Sequence, residues 1–358
     1  MHPHPYPPDI YRIPRPAHGG DAWRYPGTID FSANINPLGP SRSVIRAINR
    51  ALEYVNAYPT DGRELRLLLA DKHGLVPENI VLGNGSSELI KAVCEVTLRP
   101  GDRVLIPQPT FSEYEYFSVI YGASTCEVPL PPVGDAHMHL HPGGFRMLFL
   151  CNPNNPTGSS ISPHRIEELL EEAERAGCLV VVDEAYQEFS KHTSIAGMVE
   201  SHDTLVVLRS MTKFYSIPGL RLGYAVTGER TARMLRQVLP PWNVNTVAIA
   251  AGVAALGDKR FAAESRRYIS KEKKHLFQAL CRLSGLRIHP SDANFFLINI
   301  EDTGMSSFEM KKKLVKKGFL IRDCSSFRRL GDGYIRICIR KHDENLKLIS
   351  AMEELLNG

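Results

Sequence analysis

The seven cysteines of this chain are scattered over its 358 residues, and no two of them form a CxxC pair. An odd, scattered set argues against a disulfide framework and reads as buried free thiols in a reducing compartment. The chain also lacks charge of one sign. Its 43 Lys and Arg against 39 Asp and Glu leave a net charge of only +4. That argues against a nucleic-acid surface as the main function, while leaving room for a local basic pocket. No apolar run approaches the length of a membrane span, and no apolar segment of the secretory kind follows Met1. No membrane or nucleic-acid partner is therefore expected, and the cytoplasm is the expected compartment. Internal repeats and low-complexity linkers are absent too. What remains is an ordinary globular composition, 43% hydrophobic and 23% charged, long enough for one large or two moderate domains.

The most informative stretch runs from Asp203 to Tyr224, DTLVVLRSMTKFYSIPGLRLGY. A buried strand, Leu205 to Leu208, leads into a turn carrying Ser210, Thr212 and Lys213. A lysine just past a buried strand stands where solvation is poor, so its pKa falls and its amine becomes a nucleophile towards carbonyls. Ser210 and Arg221 flank it with a hydroxyl and a fixed positive charge that suit a phosphate. A carbonyl and a phosphate together point to pyridoxal phosphate (PLP). A solvated loop lysine beside a structural arginine is the competing reading of this stretch.

The rest of the chain decides between them. Residues 1–27 are rich in Pro, His and Tyr and read as an extended arm. His2-Pro3-His4 reads as solvated arm, and no metal is expected. In His18-Gly19-Gly20 the glycines permit close approach to a ligand and the histidine can meet an anion, although a plain turn fits as well. Ile29 to Gly39 is a short strand and turn containing Ser32 and Asn34. Ser41 caps a helix, Tyr58 and Pro59 break it, and a second helix runs from Gly62 to Gly74. From Ile80 the pattern becomes alternating strands and helices. Strands are expected at 80–82, 103–106, 145–150 and 179–182, with helices at 87–98, from Pro109 to Tyr121, and from Ser162 to Ala176. Gly83-Asn84-Gly85-Ser86-Ser87 ends a strand and opens a helix, the arrangement of an anion site. Such alternation indicates a mainly parallel sheet covered on both faces, with ligands beyond the carboxyl ends of its strands. Asn155, Asp183 and Lys213 each follow a different strand. Beyond Pro240-Pro241, helices at 244–256 and 259–284 precede strands at 293–300, 319–324 and 334–339 and helices at 307–317 and the C-terminus, a smaller α+β unit.

Four motifs stand in order: NPNNPTG at 152–158, DEAY at 183–186, SMTK at 210–213 and RLGY at 221–224, with YIRICIR at 334–340 behind them. Together they resemble the class I/II PLP-dependent aminotransferase superfamily of fold type I, over nearly the whole chain. The resemblance implies an α/β fold with a mainly parallel seven-stranded sheet in a large domain at 44–243, a smaller domain at 244–358, and an arm at 1–43 contributing to the smaller one. It implies PLP as cofactor and assigns roles. Asp183 faces the pyridine nitrogen. Tyr186 and Asn155 hydrogen-bond the ring oxygen, and Phe111 stacks on the ring. Lys213 is the point of covalent attachment and a proton carrier. Gly85, Ser86, Ser210 and Arg221 hold the phosphate, with Tyr58 reaching the phosphate of a neighbouring subunit in a homodimer. Arg336 binds a substrate carboxylate, Asn155 touches it as well, Arg322 binds a substrate phosphate with His18 as a second contact, and Ser32 and Asn34 line the substrate channel.

Within that superfamily the chain resembles the histidinol-phosphate aminotransferase branch and, more narrowly, the threonine-phosphate decarboxylases of cobalamin biosynthesis. The narrower likeness rests on His18-Gly19-Gly20 ahead of DFSANINPLG, on IRDCSSF at 321–327 with no proline after Arg322, and on Arg340. It implies loss of CO2 from L-threonine O-3-phosphate to give (R)-1-amino-2-propanol O-2-phosphate. Transamination of histidinol phosphate with 2-oxoglutarate is the alternative, and a non-enzymatic PLP-fold protein is a third reading.

Overall fold

In the computed structural model, which describes residues 13–130 and 140–357, the elements follow in this order. They are β1 (Ile29–Asp30), α1 (Arg42–Ala51), α2 (Arg63–His73), β2 (Ile80–Gly83), α3 (Ser86–Thr97), β3 (Arg103–Gln108), α4 (Glu113–Ile120), β4 (Ser124–Pro129), β5 (Met147–Cys151), α5 (Pro163–Ala176), β6 (Leu179–Asp183), β7 (Leu205–Ser210) and β8 (Gly223–Thr227). The chain continues through α6 (Glu229–Val238), α7 (Thr246–Gly257), α8 (Lys259–Leu280), β9 (Arg287–Ile288), β10 (Phe295–Asn299), α9 (Ser307–Lys316), β11 (Phe319–Leu320), β12 (Arg322–Asp323), β13 (Tyr334–Cys338) and α10 (His342–Asn357).

Seven strands form the large sheet in the order β2-β8-β7-β6-β5-β3-β4. Only β8 runs antiparallel to its neighbours. The central strands β5, β6 and β7 are buried almost throughout and mainly apolar because both faces are covered. In β6, Val180 and Val182 face one core cluster and Val181 the other; in β7, Leu205 and Val207 oppose Val206 and Leu208. Helix α5 illustrates the covering layer. Ser162 accepts a hydrogen bond from the Arg165 amide, Pro163 opens the helix, Gly177 closes it with left-handed backbone, and Ile166, Leu169, Leu170 and Ala173 form the buried stripe.

A four-stranded antiparallel sheet, β12-β13-β10-β9, is the base of a separate core cluster. The N-terminal segment belongs to that cluster through Phe31, and β1 pairs in parallel with β11.

Several elements differ from the sequence expectation. β4 was not anticipated, because STCEVP is an edge strand with no fully buried residue; α6 and the two-residue β9 were also missed. The single strand expected at 319–324 is two short strands in different sheets, β11 on β1 and β12 on β13. The helix expected from Pro109 begins at Glu113, because the preceding residues form a loop. Residues 13–27 include a 3₁₀ turn at Ala22–Arg24. Cys281 is exposed and Cys126 only partly covered, so the cysteines are not uniformly buried. His2-Pro3-His4 lies outside the described residues. Among the described residues no helix is long and apolar enough to cross a membrane.

Candidate active site

Strands β5, β6 and β7 end side by side at Cys151, Asp183 and Ser210, and the loops beyond them enter one cavity of about 530 Å3. Asp183 closes β6. It is 3% exposed, and its carboxylate accepts the Tyr114 hydroxyl at 2.8 Å and the Ala185 amide at 2.9 Å. Burial pushes its pKa up to about 6, although both hydrogen bonds pull the other way. An acidic group so held is completed by a cationic N–H. Tyr114 was not anticipated from sequence; it is fully buried and stacks on Phe149 with ring centroids 4.8 Å apart. Its hydroxyl stabilises the charged form of Asp183. Tyr114→Phe is therefore expected to raise the pKa of Asp183 by about one unit, as loss of a charge-assisted bond should. The carboxyl-carbon NMR titration of Asp183 measures this, and an unmoved titration would show that the hydroxyl contributes nothing.

Lys213 lies three residues past β7 and is half-buried, its exposed part facing the cavity. Burial brings its pKa down to about 8, and the charges of Arg336 and Arg221 add to the effect. Its loop is held from outside. The Lys213 carbonyl accepts the Asn36 amide at 3.0 Å, the Asn36 side chain donates to the Phe214 carbonyl at 2.8 Å, and Ser216 donates to the Asn36 carbonyl at 2.6 Å. DFSANIN thus positions the lysine as well as lining the cavity through Ser32 and Asn34.

One end of the cavity is built for an anion. α3 opens at Ser86, so its first amides have no partner within the helix. Ser86, Ser87, Ser210, Thr212 and Arg221 line this end. Arg221 holds a left-handed backbone, φ +58°, a conformation uncommon for a residue other than glycine. Gly85 does not itself line the cavity, though its neighbour Ser86 does. It sits behind Arg221, where a Cβ would come within 2.7 Å of the guanidinium.

The other end holds two more arginines. Arg336, 5% exposed on β13, donates to the Asn155 side-chain oxygen and, at 2.9 Å, to the Ser32 carbonyl. Among the described residues neither its Nε nor the Asn34 Oδ1 has a hydrogen-bond partner. Arg322, 8% exposed on β12, donates to the Ala17 carbonyl at 2.8 Å and the Ser326 hydroxyl at 2.9 Å. Asn34 donates to the Tyr186 hydroxyl at 3.0 Å, and burial lifts that phenol to about 12. Phe111 and Phe327 add aromatic walls. The arm enters too. His18 lies 5.7 Å from the Phe111 ring and 2.5 Å from a Glu113 carboxylate oxygen. Gly19 packs on the Ser32 carbonyl, where a Cβ would approach to 2.8 Å.

Asn155 owes its place to Asn154, also missed from sequence. The Asn154 amide donates to the Pro109 carbonyl and to Thr157, and its oxygen accepts Thr110, which locks the NPNNPTG loop to the loop bearing Phe111. Of the residues expected at the site, Tyr58 lies elsewhere on this chain. It is 77% exposed and stacked on Trp242 at 4.3 Å between centroids. Arg340, part of the narrower likeness, pairs with Glu344 and does not line the cavity.

The model of the aminotransferase class I and II family matches residues 26–352. The chain belongs to that family. Its fold is fold type I, and its cofactor is PLP. The residues present fit that group, with a buried acid for the ring nitrogen, a depressed lysine, and a helix N-terminus with Arg221 for a phosphate. A histidinol-phosphate aminotransferase from Archaeoglobus fulgidus is 36% identical over 91% of this chain and 93% of its own length. Seven further relatives of the family, 28–35% identical, carry the same activity in their names. L-threonine-O-3-phosphate decarboxylase from Porphyromonas gingivalis superposes with TM-score 0.84 and 28% identity over 92% of this chain and all of that one. A histidinol-phosphate aminotransferase from Sinorhizobium meliloti, in complex with pyridoxal-5'-phosphate, shares the fold at TM-score 0.87 and 22% identity over 100% of this chain and 99% of that one.

Proposed function

We propose that this PLP enzyme acts on a small phosphorylated amine and that its reaction is the decarboxylation of L-threonine O-3-phosphate. The observation that carries this reading is the wall formed by Ala17 to Gly20 over Arg322 and Ser32, with Gly19 at a contact no larger residue fits. That wall contains the His-Gly-Gly element on which the likeness to threonine-phosphate decarboxylases rests. The relatives favour a second reading. On sequence similarity alone, transamination of histidinol phosphate is the better supported of the two.

In this reading Ser86, Ser210 and Arg221 hold the cofactor phosphate, Asp183 meets the ring nitrogen, Tyr186 and Asn155 the ring oxygen, and Phe111 a ring face. When bound, the cofactor would supply an electron sink for the substrate bond that breaks. Arg336 takes the substrate carboxylate and Arg322, with His18, the phosphate. Two clamps at opposite ends fix rotation about Cα, so they decide whether the bond to the carboxylate or the bond to hydrogen is presented. In decarboxylation the bond to the carboxylate breaks, CO2 departs, and a proton is returned to Cα from the Lys213 amine or water. Tyr58 completes the site of a second copy, in a homodimer.

The deciding experiment supplies PLP and threonine phosphate without a keto acid and measures CO2 and aminopropanol phosphate. Catalytic CO2 release supports the decarboxylase. Absence of CO2, with glutamate formed from histidinol phosphate and 2-oxoglutarate, replaces it with the transaminase. Arg322→Gln is expected to lower kcat/KM for the phosphorylated substrate about a hundredfold, since a buried charge-assisted clamp is lost. Activity towards unphosphorylated threonine should change little; equal losses on both would remove Arg322 from phosphate binding.

A further inference from the structure

A second constellation lies where α8 meets the start of α10, on residues that do not line the active-site cavity. Glu272 on α8 is a carboxylate only 3% exposed. Burial of an ionised carboxylate demands a compensating positive charge. Among the described residues its ion-pair partners are two imidazoles, neither of them a fixed cation. The His275 Nδ1 is 3.7 Å from one carboxylate oxygen, and the His342 Nδ1 is 3.0 Å from the other. Donor atoms from all three residues lie within 4.8 Å of one another.

The surroundings hold this geometry in place. Glu272 and His275 are three residues apart on one helix, which puts them on the same face. His342 is the first residue of α10, and its amide donates to the Tyr268 hydroxyl at 3.0 Å. Asn345 donates to the same Glu272 oxygen that faces His342, at 3.2 Å, and its amide is fixed in turn by the Arg340 carbonyl at 3.0 Å and the Arg340 amide at 2.9 Å. A carboxylate oriented by a neighbouring amide is the kind of outer support that metal ligands have. Tetrahedral ligands about 2.0–2.1 Å from a zinc ion stand roughly 3.3 Å apart, and the Glu272 carboxylate stands 3.7 Å and 3.0 Å from the two nitrogens through its two oxygens.

We propose that Glu272, His275 and His342 bind a divalent transition-metal ion of the Zn2+ class, with a fourth position open to water. Two nitrogens and one carboxylate oxygen suit Zn2+, Co2+ or Cu2+ and not the all-oxygen preference of Mg2+ or Ca2+. The ion supplies a fixed positive charge beside the buried Glu272 carboxylate, which neither imidazole provides. It also staples α8 to α10 directly after β13, the strand that carries Arg336, so the site is structural and independent of which reaction the enzyme performs.

The test uses the full-length, PLP-loaded protein, stripped with chelator and titrated with Co2+ and then Zn2+. One Co2+ per chain is expected, seen as the intense visible absorption of four-coordinate cobalt and displaced by Zn2+ but not by excess Mg2+. Zn2+ at a hundredfold excess over its Kd is expected to raise the Tm by about 3–5 °C. His275→Ala removes a ligand whose side chain is 45% exposed, so folding is preserved; binding should weaken at least about a hundredfold. Glu272→Gln and His342→Ala should do the same, with circular dichroism reporting the fold. Binding no tighter than about 10 µM in the wild type, displacement by Mg2+, or unchanged stoichiometry and affinity in His275→Ala would each overturn the proposal. The last outcome would move the ion to other histidines, such as those of the N-terminal arm.

Discussion

Lys213→Ala is expected to lower turnover by about 10⁴-fold or more, because one side chain is asked both to attach the cofactor and to carry a proton. The position is prepared for both. Burial, and then the charges of Arg336 and Arg221, bring the lysine down to about 8. At pH 7 about a tenth of such amines are neutral, against well under a thousandth for an ordinary lysine. Only the neutral amine attacks a carbonyl. The rate at which cofactor-free enzyme takes up PLP covalently is therefore expected to climb about tenfold per pH unit below 8 and to level off above it. The sign for stability is opposite. A base whose folded pKa is depressed costs the empty fold stability below about pH 8, and that cost fades as pH rises towards the ordinary lysine value of 10.5. Lys213→Ala should accordingly leave the cofactor-free protein at least as stable at pH 7, measured by urea unfolding. A variant within tenfold of wild-type turnover would take Lys213 out of the reaction.

Asp183→Asn is expected to cost roughly 10³-fold in turnover and, at the same time, to stabilise the cofactor-free chain. The first effect follows from exchanging a buried charge for a neutral amide opposite the cofactor ring, a loss of a few kcal/mol of electrostatic stabilisation. The second follows from the pKa of about 6. A carboxyl raised above its unfolded value of 3.8 binds its proton more tightly in the folded state. Its cost to stability is absent below about pH 3.8, grows between there and pH 6, and is fully present at pH 7. It amounts to on the order of 3 kcal/mol. Asparagine carries no such cost at any pH. Urea unfolding of cofactor-free protein at pH 7 and pH 4.5 tests this, since the stability gap between variant and wild type should shrink at the lower pH. A gap independent of pH would mean that the carboxylate is not destabilised by burial, and that its fit to a cationic partner has another origin.

The strand-to-loop junctions were legible in the sequence because they depend on local order. A run of buried β-branched residues followed by polar groups marks a strand end wherever it occurs, so Asp183 could be placed at the end of β6, and Asn155 and Lys213 beyond β5 and β7, from the sequence alone. The same held for Ser86 at the start of α3, where glycines and hydroxyls precede an apolar stripe. Edge elements were not legible. β4 has no fully buried residue to announce it, and β11 and β12 read as one strand because nothing local says that Leu320 and Arg322 pair with different sheets. Gly85 stands in a glycine-rich turn, and only the structure shows how closely its backbone packs against the Arg221 guanidinium.

By itself, then, the order of residues determined the chemical groups, the alternation that builds a parallel sheet, and the family likeness carried by Asp183, Tyr186, Lys213, Arg221 and Arg336. Tertiary structure alone decided their electrostatic state and company. The pKa values of Asp183 and Lys213 come from burial, and burial is set by layers contributed from both ends of the chain. Tyr114 reaches Asp183 across 69 residues, Asn36 holds the Lys213 loop from 177 residues away, and His342 meets Glu272 across 70. Such contacts depend on the whole sheet having closed, and a pattern that is local in sequence carries no record of them.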